Sequence, residues 1–278
     1  MGRRVRSCLL AALVLSSAAA TADAPERIVS INLCTDQLLL TVAEPQQIAS
    51  LSWLAADPDE SPVWQQARQF PANQGSIEEL LALAPDLVLA GRFTGHFAKA
   101  SLRRLGYPIL EVAPANSLEE IYTNLRTVAS AIGRPDTGAT VIARMQRRVA
   151  QLTAENQGTP RPAIIMQPGG FTVGANSVAD ELLRLAGFEN RAARMGLDRW
   201  GSLSLEALLT SGIERLIVAS YQAELPSMAS QFLNHPVLRR LATRLDMVTV
   251  PAVLFACGVP GALDAIDYMR AATAEPVP

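Results

Sequence analysis

Short apolar runs alternate with helix-period segments along most of this chain. The alternation stops once, between Leu118 and Leu152, where only helical spacing is found. Strand–helix alternation implies a mainly parallel sheet, because parallel neighbours need a crossover, usually a helix, between them. The helix-only stretch is longer than an ordinary crossover. It therefore divides the chain into two α/β lobes with mainly parallel sheets, joined by a long interdomain helix. The expected divisions are a leader over 1–22, an N-terminal lobe over 23–116, a helical backbone over 117–159 and a C-terminal lobe over 160–278.

In the first lobe, Ile28–Ile31, Ile48–Trp53, Leu87–Ala90 and Ile109–Val112 read as strands. Thr35 or Asp36 is expected to cap a helix ending before Pro45. Ser76 and Glu79 have capping-box spacing. In the helical stretch Leu118, Ile121, Leu125, Val128 and Ile132 share one face, and Gly133-Arg134-Pro135 separates them from a second run, Ala139–Leu152. Beyond it, strands are expected at Ala163–Met166, Leu216–Ala219 and Met247–Val250. A turn is expected at Gln167–Gly170, with helices at Ser177–Ala186, Leu203–Leu209 and Gly261–Ala271.

The leader has export features. Arg3, Arg4 and Arg6 precede the apolar Cys8–Leu15, and Ala20-Thr21-Ala22 reads as a cleavage site. Its apolar run is too short to span a bilayer, so a soluble periplasmic protein that does not cross the membrane is expected. Removing 1–22 leaves 21 basic and 26 acidic residues, a net charge of −5. No basic face for nucleic acid is evident in that balance. Cys34 and Cys257 remain, in a compartment where disulfides persist. A bond between them requires the fold to return the end of the chain to its start, and two buried thiols fit equally.

No catalytic array stands out. The two histidines, His96 and His235, lack metal-ligand spacing, and no HExxH, CxxC or GxSxG is present. Gly169–Gly174 lacks the Lys-Ser/Thr ending of a phosphate loop. No catalytic residue, metal or cofactor is expected. The aromatics carry more information. Trp53, Trp64, Phe93, Phe171, Trp200, Tyr221 and Phe255 fall mostly at expected strand ends or loops. Each could be a satellite-core residue; together, in both lobes, they point to a largely apolar ligand surface. Arg92, Arg199, Gln167 and Asn176 can add polar contacts.

Three segments carry a family resemblance. They are Arg27–Asn32, then Gly75-Ser76-Ile77-Glu78-Glu79-Leu80-Leu81-Ala82-Leu83-Ala84-Pro85-Asp86-Leu87-Val88-Leu89-Ala90, and then Val173–Val178 with Glu181–Leu183 and Ala186–Asn190. Trp200 before Ser202–Glu206 adds a fourth. In order and spacing the chain resembles the substrate-binding proteins of bacterial ABC importers for vitamin B12, iron-siderophores and haem. The resemblance implies two rigid lobes, a ligand in the cleft between them, modest closure, and delivery to a permease driven by its ATPase. It is nearest to vitamin B12 binders, with Trp200 at the matching aromatic position and Trp53 and Phe93 in loops that correspond in order to pocket loops. A corrinoid is the expected ligand, and an iron-siderophore or haem the alternative. A non-transport sensor on the same fold is a further alternative. Haem would call for a Tyr or His ligand, for which His96 and Tyr221 stand. Cys34–Asp36 and Phe255–Gly258 depart from the B12 pattern. For docking on the permease, Glu224 is the acidic candidate of the second lobe, where a solvated surface charge fits equally; the matching helix start of the first lobe holds His96 and Lys99. A monomer is expected.

Overall fold

The first sheet grows outward from β1 (Ile28–Ser30), whose three residues are all buried, as in a strand covered on both faces. The structure is a computed structural model and describes residues 24–220, 236 and 245–271. The expected leader over 1–22 lies outside the described residues. After β1 come α1 (Leu33–Val42), β2 (Ile48–Ser52), the short α2 (Trp64–Ala67), β3 (Ala72–Asn73), α3 (Ile77–Ala82), β4 (Leu87–Gly91), α4 (His96–Arg104) and β5 (Ile109–Val112). Every pairing in this sheet is parallel, in the order β3-β2-β1-β4-β5. Strands two and three are laid down on one side of β1, and strands four and five on the other. The crevice outside the ends of β1 and β4 is thus a topological switch point, where open α/β sheets bind ligands.

Local chemistry sets several boundaries. Ser76 and Glu79 form the expected capping box at α3. The cap of α1 is Asn32, whose side chain accepts the Cys34 and Thr35 N–H groups at 3.1 and 3.3 Å. The expected caps Thr35 and Asp36 are instead drawn inside the lobe. The Thr35 hydroxyl meets Ser30 Oγ at 2.7 Å, and the Asp36 carboxylate accepts the Ser52 N–H and hydroxyl. Tertiary partners have claimed side chains that would cap well in isolation.

The helical stretch forms α5 (Leu118–Ala131), capped by Ser117, and α6 (Pro135–Glu155). Pro135 stands in the first turn of α6, where its missing N–H costs nothing. At 21 residues α6 is roughly 30 Å long and links the lobes.

The second lobe contains β6 (Arg161–Met166), β7 (Phe171–Val173), α7 (Val178–Leu185), β8 (Phe188–Asn190), α8 (Arg191–Arg194), β9 (Trp200–Ser202), α9 (Leu205–Thr210), β10 (Arg215–Ser220), β11 (Asp246–Pro251) and α10 (Ala265–Arg270). Its sheet runs β11-β10-β6-β7-β9, with β8 also on β6. The β6, β8, β10 and β11 pairings are parallel, whereas β6–β7 and β7–β9 are antiparallel. The short β7, β8 and β9 have no clear strand period in the sequence. The expected closing helix over 261–271 divides into a 3-10 turn, Pro260–Asp264, and α10. Among the described residues no helix is long and apolar enough to cross a membrane. One hydrophobic cluster runs from Ile28, Leu39 and Val112 through Leu125 and Ile142 to Leu182, Val250 and Ile266, so the lobes share a core around the helical stretch.

Candidate binding cleft

A cavity of about 450 Å³ opens between the lobes. Its first wall comes from the switch point: Asn32, Cys34, Thr35 and Leu38 at the start of α1, and Gly91, Arg92, Phe93 and Thr94 after β4. Its second wall comes from Gln167 and Phe171 after β6, from Ser177, Val178 and Leu182 on α7, from Arg199 and Trp200 at the start of β9, and from Leu254–Gly258 after β11. Phe93 and Trp200 are 69% and 72% exposed. Solvent-facing aromatics on both walls of a cleft offer a large apolar ligand two contact faces.

Each wall is held from behind. The ammonium of Lys99 on α4 is buried and donates to the Gly91 and Arg92 carbonyls at 3.0 and 2.8 Å and to Glu111 at 3.1 Å. Burial, helped by the nearby Arg103 charge, holds its pKa below the usual lysine value. The loop bearing Arg92 and Phe93 is thereby pinned to α4. On the second wall, residues 174–176 run against 197–199. Gly174 N–H donates to the Arg199 carbonyl at 2.8 Å, and Ala175 N–H to the Leu197 carbonyl at 2.9 Å. A Cβ on Gly174 would stand 2.2 Å from the Leu197 carbonyl oxygen, so only glycine permits this approach. Asn176 and Arg199 both take positive φ, 55° in each case, a backbone state that non-glycine residues seldom adopt. Asn190, buried, ties the Val173 carbonyl to the Asp180 carboxylate at 3.1 and 3.0 Å.

The described lining of the cleft is positively charged. It holds two charged residues, Arg92 and Arg199, one on each wall, and no Asp or Glu. Neither guanidinium has an ion-pair partner among the described residues. Nine other described arginines do, whereas Arg27, Arg68, Arg104, Arg144, Arg147 and Arg191 also lack one among the described residues and lie outside the cavity lining. The N-termini of α1 and α7 also face the cavity and add positive potential.

Cys34 and Cys257 both line the cleft and are joined by a disulfide with Cα atoms 5.3 Å apart. Of the sequence-derived ligand residues, Arg92, Phe93, Phe171, Trp200 and Phe255 line the cavity, with Gln167 and Arg199. Trp53 does not. It opens the turn after β2, one strand away from the switch point, and is 44% exposed. Asn176 also stands outside the lining and donates to Asp198 at 2.8 Å. His96 is exposed at the start of α4, outside the lining. Trp64 packs under the Arg68 guanidinium, 4.4 Å from its ring centroid. Tyr221, Glu224 and His235 lie outside the described residues. The sequence reading missed Asn32 and the α1 start. Their signal was an Asx cap directly after the first strand.

A family model described as "Periplasmic binding protein" matches residues 28–243. A cobalamin-binding protein of Halobacterium salinarum is 23% identical over 86% of this chain, which spans 66% of that relative's length. A vitamin B12-binding protein of Yersinia pestis is 24% identical over 85% of this chain and 84% of its own. The crystal structure of the periplasmic haem-binding protein HutB of Vibrio cholerae superposes with a TM-score of 0.73 at 18% identity, covering 88% of this chain and 97% of that one. At that identity the likeness establishes the fold.

Proposed function

The chain belongs to the periplasmic binding protein family, and from that premise we propose that it is a periplasmic receptor of the vitamin B12, iron-siderophore and haem class. In this reading it captures a metal chelate between its lobes and hands it to an ABC permease and its ATPase. Membership of the family gives it a binding role and not a catalytic one. The observation that carries the finer reading is the charge of the cleft. A chain with excess acid lines its cavity with two arginines, one per lobe, that have no ion-pair partner among the described residues and stand among exposed aromatic faces. That pattern suits a ligand with a broad apolar body and anionic groups at its periphery, such as the carboxylates of a haem or of a ferric siderophore. Guanidinium–carboxylate pairs supply orientation as well as affinity.

A corrinoid is the second reading. It is favoured by the cobalamin- and B12-binding relatives and by the same aromatic walls, although a corrinoid periphery is richer in amides than in carboxylates.

Calorimetric titration of haemin, a ferric siderophore and cyanocobalamin into the wild type, Arg92→Ala and Arg199→Ala separates these readings. An anionic chelate should bind the wild type and lose roughly 10- to 100-fold in affinity with each arginine, since hydrogen bonds to charged groups contribute about 1.5–3 kcal/mol. Binding of cyanocobalamin alone, indifferent to both substitutions, would establish the corrinoid reading instead.

A further inference from the structure

We propose that the Cys34–Cys257 disulfide is the positioning element of the cleft, holding its two walls at a preset separation so that ligand enters a preformed site. This rests on the reading of the cavity as the binding site. Cys34 belongs to α1, on the first sheet; Cys257 follows β11, on the second, 223 residues away. The bond therefore joins one lobe to the other, inside the cavity lining. The other covalent link between the lobes is α6. The lobes also share the hydrophobic cluster around α5 and α6, and the disulfide adds a fixed covalent point where the two walls of the cavity meet.

Packing beside the bond points the same way. A Cβ on Gly258, the residue after Cys257, would stand 2.8 Å from the Ala115 Cβ and 3.0 Å from the Ala115 carbonyl oxygen. The segment between β5 and α5 thus rests on the backbone of the second lobe next to the disulfide. Nearby, the Leu118 N–H at the start of α5 donates to the Glu181 carboxylate of the second lobe at 2.7 Å. Leu38, one turn along α1 from Cys34, and Phe255, two residues before Cys257, both line the cavity. A displacement at the sulfurs is a displacement of both walls. A site already in its bound geometry spends less of its interaction energy on ordering, so the bond raises affinity without needing to touch the ligand.

Lobe separation can be read directly. Non-cysteine spin labels would replace Glu78 on α3 and Leu209 on α9, both exposed and on different lobes. The electron-spin distance distribution would then be compared between the wild type and Cys34→Ser/Cys257→Ser, both without ligand. The expected result is a single narrow distribution in the wild type, unchanged by ligand. The variant should give a broad distribution that narrows on binding, with about tenfold weaker affinity for whichever of haemin, ferric siderophore or cyanocobalamin the wild type binds. A variant that melts earlier but keeps the wild-type distribution would overturn the proposal, since a bond acting only on the unfolded chain lowers stability and leaves lobe separation alone. Wild-type protein reduced with TCEP supplies the same comparison if the variant does not fold. Should none of the three probes bind the wild type, the ligand reading fails, and the distance distributions still decide the role of the bond.

Discussion

Asp36 is the residue at which pH should act most strongly. It is fully buried, accepts the Ser52 N–H and hydroxyl, and burial pushes its carboxyl up to about 7. In the unfolded chain it titrates near 3.9. Between those values the folded protein holds a proton that the unfolded chain has lost, so stability declines as pH rises from about 4 to about 7 and levels off above. The full span is on the order of 4 kcal/mol. Thermal unfolding of the wild type from pH 5 to 8 should show a falling midpoint that Asp36→Asn largely flattens. Equal slopes in the two proteins would exclude Asp36 as the cause. Lys99 acts on the cleft through backbone, because its ammonium holds the carbonyls on which Arg92 and Phe93 are mounted. Lys99→Met leaves those acceptors unpaired and should cost about 1–3 kcal/mol in denaturant titration. It should also weaken ligand binding, although Lys99 is absent from the cavity lining.

At the scale of elements, two substitutions separate helix ends that only support the fold from turns that build the site. Ser76→Ala removes the cap of α3, which contributes nothing to the cleft lining. It should lower stability by about 1 kcal/mol and leave ligand affinity unchanged. Gly174→Ala drives a methyl group into the Leu197 carbonyl. The crossed segments 174–176 and 197–199 must then part, and with them the placement of Arg199 and Trp200. Calorimetry on Gly174→Ala should give a loss of affinity comparable to that of Arg199→Ala, in a protein whose far-ultraviolet circular dichroism still matches the wild type. The β7–β9 pairing explains this sensitivity: Val173 stands opposite Trp200, so a shift in one strand is handed to the other.

For the whole molecule, the shared hydrophobic cluster and the disulfide couple the lobes. They should melt together, in one calorimetric transition. Saturating ligand at 100 times its Kd should stabilise that transition by about 2.7 kcal/mol. At about 2–4 °C per kcal/mol for a chain of this size class, the midpoint rises by roughly 5–10 °C. Two resolved transitions, only one of them moved by ligand, would place the whole binding energy in a single lobe and contradict a two-walled site.

Much of this protein is readable from short windows of sequence. The alternation of strand and helix, the break at Leu118–Leu152, the capping box at Ser76 and the aromatic strand ends all rest on periodicity or cap chemistry spanning a few to some twenty residues. Arg92, Phe93, Phe171, Trp200 and Phe255 could be singled out in this way because each sits near a local boundary between a strand and a loop. Trp53 meets the same local criterion and yet lies off the cavity. Strand order separates it from Phe93: β4 borders β1 at the switch point, whereas β2 leads away from it. Strand order is set by pairing between segments far apart in the chain, and no local pattern records it. The same holds for Thr35 and Asp36, good caps that buried partners drew inward. It holds for β7 and β9, too short to show a period, and for Cys34 and Cys257, whose approach depends on both lobes being in place. Local chemistry decided which elements form; the choice of which strand ends meet, and so which side chains share a cleft, was made by tertiary packing alone.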